Sequence, residues 1–284
     1  MDGLDALIED ALQSKSGKIV VPDGAELLFP ASMGPSIYIV RETDQILKAG
    51  ASVEMCEAEA MRFVARNTSI PVPEVIDAYT QDGNGYILMS RLPGERLGSL
   101  WKTFDSAQKT KVIDQLRMYM RELGSLHGDF YGSLWQGASK DIWFMHLPCK
   151  PGKVSYGLYS SRQQYNEGLV MALRNSRPCG VLTAEDEILI EKILGNTDER
   201  KIFSHGDLHL RNILVNPSTA CITRFVDWEA AGFSVPGRDY FEARMRARND
   251  TWKKALDEIF EPSERAHFEM MQTLDNALIR HTFI

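Results

Sequence analysis

The sequence predicts an α+β protein in two parts: a strand-rich N-terminal part over residues 1–92 and a mostly helical C-terminal part over residues 93–284. Three observations carry this. Short apolar runs bounded by turn residues cluster before residue 92. Helical periodicity sustained over more than four turns follows, in SAQKTKVIDQLRMYMRELGSLHG. Late in the chain, FSHGDLHLRNILVNPSTACITRFVDWEAAGF reads as a hairpin, with strands Ile213 to Val215 and Ile222 to Val226 joined by a turn over Asn216 to Ala220.

The elements can be justified in order. The N-terminal MDGLDALIEDALQS places Leu4, Leu7, Ile8 and Leu12 on one face of a short helix, and it is acidic where a secretory signal would be basic. SIYIV (Ser36 to Val40) and QILKAG (Gln45 to Gly50) read as two strands, with Glu42, Thr43 and Asp44 between them as the turn. SVEMCEAEAMRFVARN spaces Val53, Cys56, Ala60, Met61 and Val64 as one helical face. Pro71 breaks that helix, and SIPVPEVIDAY opens a further strand. GYILMSRLPGE is a strand that closes in a Pro-Gly turn at Pro93, and Arg91 to Glu95 is the link between the two parts. Beyond it, Val112, Ile113, Leu116, Met120, Leu123 and Leu126 line one face of a long helix ending at Gly128. Trp101, Trp135 and Trp143 read as core or lobe-interface residues, and any one of them is a candidate to line a substrate pocket.

Composition narrows the function. A formal charge of -7, from 39 acidic against 32 basic residues, disfavours nucleic acid and anionic membranes as partners. The same balance suits a cationic small molecule better. Cys56, Cys149, Cys179 and Cys221 show no CxxC spacing and read as free thiols of a reducing compartment. No apolar run approaches the length of a membrane span, so a cytoplasmic location is expected.

The chemistry gathers at the open end of the hairpin. Paired strands lie about 4.8 Å apart, so their outer ends meet within roughly 10 Å. Asn212 and Asp227 then face one small volume, with Asp207 on the loop just upstream. Two oxygen donors on one point suit a hard cation such as magnesium. A further carboxylate there can take a proton from a hydroxyl, which is the arrangement phosphoryl transfer requires.

The run His205-Gly206-Asp207-Leu208-His209-Leu210-Arg211-Asn212 meets the kinase catalytic-loop pattern H-R-D-L-x-x-x-N at every fixed position except Gly206. HGDLHxxN with a later Asp227-Trp228-Glu229 resembles the aminoglycoside phosphotransferase and choline kinase group of small-molecule kinases, and is similar in particular to fungal phosphotransferase enzyme family proteins. The resemblance implies a bilobal protein-kinase-like fold. It further implies Asp207 as catalytic base and Asn212 and Asp227 as magnesium ligands. Lys48 falls where such kinases hold the lysine that reaches the nucleotide phosphates. Glu57 is its expected partner, with Met61 and Val64 at the following apolar positions; Glu59, two residues on, fits nearly as well, and Glu54 less so. Met89 would line the adenine pocket, while the backbone of Ser90 and Leu92 would bind the base. Backbone contacts of that kind suit ATP and also admit GTP. Asp239 corresponds to an aspartate that braces the catalytic loop.

Departures from the pattern narrow the reading. No G-x-G-x-x-G precedes the first expected strand, the nearest glycine being Gly34. No A-P-E follows Asp227, and only 57 residues (284 − 227) remain after it, which disfavours protein substrates. A second HGD at His127-Gly128-Asp129 has Leu134, not Asn, five residues beyond its aspartate, and reads as a helix end. His205 and His209 have the spacing of a zinc pair, but H-E-x-x-H would need Glu at 206. The sequence thus points to an ATP- and magnesium-dependent kinase acting on a hydroxyl of a small molecule. The alternative is a nucleotide-binding sensor or scaffold of the same fold. Glu185, Asp186, Glu242 and Asp250 are the acidic candidates for holding a cationic acceptor.

Overall fold

The computed structural model of the chain describes residues 17–30, 34–91, 93–135, 137–145 and 154–279. The helix expected at the N-terminus, Leu92 and Cys149 lie outside these residues. Strands β1 (Ala25–Phe29), β2 (Ser36–Val40), β3 (Gln45–Gly50), β4 (Val75–Gln81) and β5 (Asn84–Ser90) form one antiparallel sheet in the order β1-β2-β3-β5-β4. Sequence reasoning missed β1. Its AELLF run has no alternation, and Leu27, Leu28 and Phe29 stay largely exposed on the sheet edge.

Period-2 alternation decides what the middle of the sheet presents. Ile46 and Lys48 of β3 stand opposite Met89 and Ile87 of β5. Ile46, Ile87 and Met89 enter the main core, whereas Leu47, Ala49 and Tyr86 pack on the other face with Ile19 and Val21. Helix α1 (Met55–Asn67) lies on the core side, burying Cys56, Ala60, Met61 and Val64. Its approach to the sheet depends on Gly85, because a Cβ there would run into the backbone carbonyl of Val53.

Leaving β5, the chain goes directly to the hairpin. Strand β6 (Glu95–Arg96) pairs with β8 (Ile213–Val215), which pairs in turn with β9 (Ile222–Phe225). Strand β7 (Ile202–Ser204) pairs with β10 (Gly232–Ser234) beside it. The longer helices that follow are α2 (Ser106–Ser125), α3 (Arg162–Asn175), α4 (Ala184–Leu194), α5 (Arg238–Arg246), α6 (Asp250–Ile259) and α7 (Phe268–Ile279). A capping box starts α2: Gln108 N–H donates to Asp105 at 2.8 Å, and Asp105 N–H donates to the Gln108 side chain at 3.0 Å. The helix stops three residues before the expected Gly128, whose N–H instead donates to the Lys201 carbonyl at 3.0 Å. The second HGD therefore lies in the strand-like stretch after the helix.

One core joins the sheet, α1, α2, the hairpin and α6, and a second unites Tyr165 and Leu169 of α3, Ile190 of α4, Phe241 of α5 and Leu274 of α7. Trp101 and Trp143 are buried as expected, Trp101 edge-on to Trp252 with centroids 5.0 Å apart. Trp135 is not: it is 62% exposed, which corrects the reading of it as a core residue and leaves the other two readings untouched. Among the described residues no helix is long and apolar enough to cross a membrane.

Candidate active site

The loop between β7 and β8 carries the HGD run, and its shape is imposed from below. Asp239, in the first turn of α5, accepts the backbone N–H groups of His205 at 3.0 Å and Gly206 at 2.8 Å. Gly206 has φ +78, and a Cβ there would clash with the Arg238 guanidinium and lie 2.5 Å from the Ala230 carbonyl oxygen. The arginine of the protein-kinase pattern thus has no room at this position. Arg238 is itself buried, paired with Asp141 at 2.9 Å and Glu242 at 3.0 Å, and donates to the carbonyls of Lys140 and Ala230, both at 3.0 Å. Burial opposes its charge, but Asp141 and Glu242 outweigh that and hold the guanidinium above its ordinary value.

His205 is fully buried beside Trp228, with ring centroids 4.4 Å apart. Its Nδ1 accepts the Asp207 N–H at 3.1 Å, which leaves Nε2 to donate to the Val226 carbonyl at 3.1 Å. These bonds need a neutral ring, and burial lowers its pKa accordingly. His209 uses its Nδ1 in the same manner for the Arg211 N–H, at 3.2 Å. Both imidazoles therefore serve the loop backbone.

The hairpin brings its ends together as its length requires. Val226 N–H donates to the Asn212 carbonyl at 3.0 Å, so Asp227 follows at once beside Asn212. The Asn212 amide nitrogen donates to the Asp207 carbonyl at 3.0 Å and to its carboxylate Oδ2 at 2.8 Å. Its amide oxygen is left pointing away from those two bonds, available to a ligand. Asp227 has φ +69, a left-handed conformation that asparagine and aspartate tolerate better than most residues.

Lys48 reaches this point from the sheet. Its Nζ lies 2.8 Å from Glu57 Oε2, 3.1 Å from Asp227 Oδ1 and 3.8 Å from Glu229 Oε2. The Lys48 and Glu57 side chains are only 8% and 3% exposed. Burial works against the ammonium, but Glu57 and then Asp227 outweigh it and hold the pKa above its ordinary value. Glu59 instead pairs with Arg62 at 2.6 Å on the outer face of α1, and Glu54 with Lys140 at 2.8 Å. Of the three glutamates the sequence offers, the structure pairs Lys48 with Glu57.

The candidate adenine segment begins at the end of β5. Met89 is nearly buried on the Lys48 face of the sheet. The Ser90 N–H is taken by the Glu74 carbonyl at 2.9 Å, and the Ser90 carbonyl accepts from Arg224 at 3.3 Å, leaving one lone pair for a base. Leu92 lies outside the described residues.

Three participants escaped sequence reasoning. Glu229 stood within the quoted D-W-E and was visible as a charge next to the site. Arg224 reaches the Ser90 carbonyl, at 3.3 Å, only because of the pairing register of β8 and β9. Arg246, in the last turn of α5, lies against Asp207 Oδ1, and nothing in the sequence signals it. The acidic acceptor candidates do not converge on Asp207. Asp186 is buried against Arg177 at 2.5 Å and Glu242 against Arg238, whereas Asp250 lies exposed at the start of α6 and Glu185 exposed on α4.

Residues 50–271 match the phosphotransferase enzyme family. The chain is similar to the structure of an aminoglycoside-3'-phosphotransferase of type VIII, with a TM-score of 0.56, 17% identity, and coverage of 94% of this chain and 98% of that one. It is also similar to APH(2'')-IIa in a ternary complex with streptomycin and ATP, with a TM-score of 0.56, 16% identity, and coverage of 99% and 95% of the two chains. At those identities the likeness bears on the fold, which is the bilobal kinase-like one. In sequence, 130 residues are 29% identical to the subtelomeric hrmA-associated cluster protein of Aspergillus fumigatus, covering 44% of this chain and 25% of that protein. With its loop, hairpin and lysine-glutamate pair placed as described, and with a match over 222 residues (50 to 271), the chain belongs to the phosphotransferase enzyme family.

Proposed function

We propose that this protein is a small-molecule kinase that transfers the terminal phosphoryl group of ATP, with magnesium, to a hydroxyl of its acceptor. One observation carries the reading: Lys48, held by buried Glu57, meets Asp227 at the hairpin end where Asn212 and Asp207 are already joined. Nucleotide, metal and acceptor groups would thus share one cleft, between a nucleotide-binding lobe over residues 1–92 and a catalytic and substrate-binding lobe over residues 93–284. The donor set, one amide oxygen and one carboxylate, fits magnesium, which takes its remaining ligands from phosphates and water. When bound by Asn212 and Asp227, the ion would neutralise charge on the phosphates.

The chain's own residues would do the rest. Lys48 orients the phosphates, and Glu57 fixes Lys48. Met89 and the backbone of Ser90 and Leu92 hold the base, with GTP admissible on backbone contacts. Asp207 takes the acceptor's proton as the hydroxyl oxygen bonds to phosphorus and the bond to the diphosphate breaks. The second reading, a nucleotide-binding sensor or scaffold of kinase fold acting in the cytoplasm, is favoured by a single feature: no G-x-G-x-x-G precedes β2.

The experiment compares nucleotide affinity and turnover in wild type, Asp207→Asn and Asp227→Asn. Loss of a positioned general base costs about 10²- to 10⁴-fold in rate. Asp207→Asn should therefore keep magnesium-ATP affinity while transfer collapses, and Asp227→Asn should weaken affinity as well. Wild-type turnover no higher than that of Asp207→Asn, over all acceptors tried, would replace the kinase by the sensor.

A further inference from the structure

Arg224 of β9 is a buried cation that the mechanism above leaves unused. It is 5% exposed. Among the described residues its guanidinium makes one hydrogen bond, from Nη2 to the Ser90 carbonyl at 3.3 Å, and its buried Nε has no partner. No carboxylate among those residues offsets the charge: burial and then Arg91 lower its pKa to about 10, which still leaves it protonated at neutral pH. Other buried cations are treated differently. Lys48 is met by Glu57 and Asp227, and Arg238 by Asp141 and Glu242. A buried charge without a partner is costly, so the free donors of Arg224 call for an acceptor. Its position says where that acceptor lies. Ser90 is three residues beyond Ile87, which stands opposite Lys48, and Arg224 is three residues before Asp227. The sheet and the hairpin therefore meet twice, Lys48 on Asp227 and Ser90 on Arg224, with about 10 Å of extended chain between the two meetings. A nucleoside triphosphate spans that length from its phosphates to its base. With the phosphates at Lys48, the base falls at Ser90 and Arg224.

A backbone carbonyl standing alone can only accept, which suits the exocyclic amine of adenine. With a guanidinium bonded to it, the same point presents N–H donors instead. Guanine carries a carbonyl oxygen, O6, where adenine carries its amine, and an arginine binds O6 together with N7 through two parallel bonds. The adenine amine would meet those donors with a donor of its own. We propose that Arg224 selects the purine: the pocket accepts ATP but favours GTP, because guanine O6 receives the donors that the adenine amine cannot use. Resting on the phosphotransfer reading above, this makes Arg224 a specificity residue for the phosphoryl donor.

The test is calorimetric titration of the full chain with the magnesium complexes of GTP, ATP and inosine triphosphate, which keeps O6 but lacks the guanine amine. Wild type should bind GTP and inosine triphosphate about 10- to 100-fold more tightly than ATP, the discrimination of one good arginine-guanine pair. Arg224→Met removes the donors and releases the Ser90 carbonyl, so the preference should vanish and ATP should bind at least as well as GTP. Arg224→Lys keeps a donor and should retain part of the preference; should the Met variant fail to fold, this variant and the wild-type series still decide. ATP binding as tightly as GTP in wild type overturns the proposal. So does inosine triphosphate falling with ATP, since recognition would then lie in the guanine amine. A lower Tm in Arg224→Met with an unchanged GTP-to-ATP ratio also overturns it, leaving Arg224 as a brace between sheet and hairpin. All three results leave the kinase standing. No binding of any of the nucleotides overturns the phosphotransfer reading beneath it.

Discussion

Replacing Glu57 tests the lysine-glutamate pair most directly. The two side chains are 8% and 3% exposed with 2.8 Å between charges, so Glu57→Ala leaves a buried ammonium without its main partner. Removing one member of a buried pair costs about 3–5 kcal/mol. Here Asp227 stays 3.1 Å from the ammonium and Glu229 3.8 Å, so the lower end applies, about 3 kcal/mol. Unfolding entropy near 2.1 cal/mol/K per residue gives about 0.6 kcal/mol/K for a chain of this length, hence a Tm lower by about 5 °C. Glu59→Ala removes a partly exposed pair with Arg62, worth at most about 0.5 kcal/mol and less than 1 °C. Thermal unfolding reads the first effect. ADP release at subsaturating ATP reads the second, where Glu57→Ala should fall well below wild type because Lys48 is no longer held toward the phosphates. Equal losses in the two variants, or a larger one for Glu59→Ala, would refute the assignment and with it the register of α1 against β3.

Two further outcomes follow from the loop. Gly206→Ala places a Cβ at φ +78 against Arg238 and Ala230, and should cost at least about 2 kcal/mol, seen as a Tm drop of about 3 °C or more together with loss of turnover; an unchanged Tm would mean the loop has room that the geometry denies. Burial holds the His205 ring below its ordinary 6.5, so the unfolded chain takes up the proton first. The stability this provides is complete above pH 6.5 and is lost as the pH falls toward the lowered folded value, by up to about 1.4 kcal/mol per pH unit. Denaturant unfolding of wild type and His205→Asn at several pH values should give the variant the shallower decline below pH 6.5; parallel curves would remove His205 as the titrating group.

Much of the fold was legible because local pattern and tertiary use coincide. SIYIV and QILKAG alternate as strands and are β2 and β3. The hairpin ends one residue earlier than read, at Phe225. The AELLF run carried no such signal, since an edge strand with little buried surface has no reason to alternate. In the site, spacing was enough to group Asp207, Asn212 and Asp227. It could not separate Glu57 from Glu59, because two positions on one helix differ only in which face meets the sheet. Arg224, Arg238 and Arg246 stayed hidden for a related reason. A long cationic side chain declares its partner only after the backbone is folded, and the sequence around each reads as ordinary surface.

The partners of Lys48 also lie at very different distances along the chain. Glu57 is 9 residues away and Asp227 is 179. Closing the short loop is cheap in chain entropy, and closing the long one is not. During synthesis the sheet and α1 emerge first, so the lysine acquires a counter-charge long before the hairpin exists. The glutamate thus acts as a local chaperone for a charge that would otherwise wait, buried and unpaired, on the last quarter of the chain. When Asp227 arrives it adds to a neutralised pair, and the shared core closes over an ammonium that already has its counter-charge.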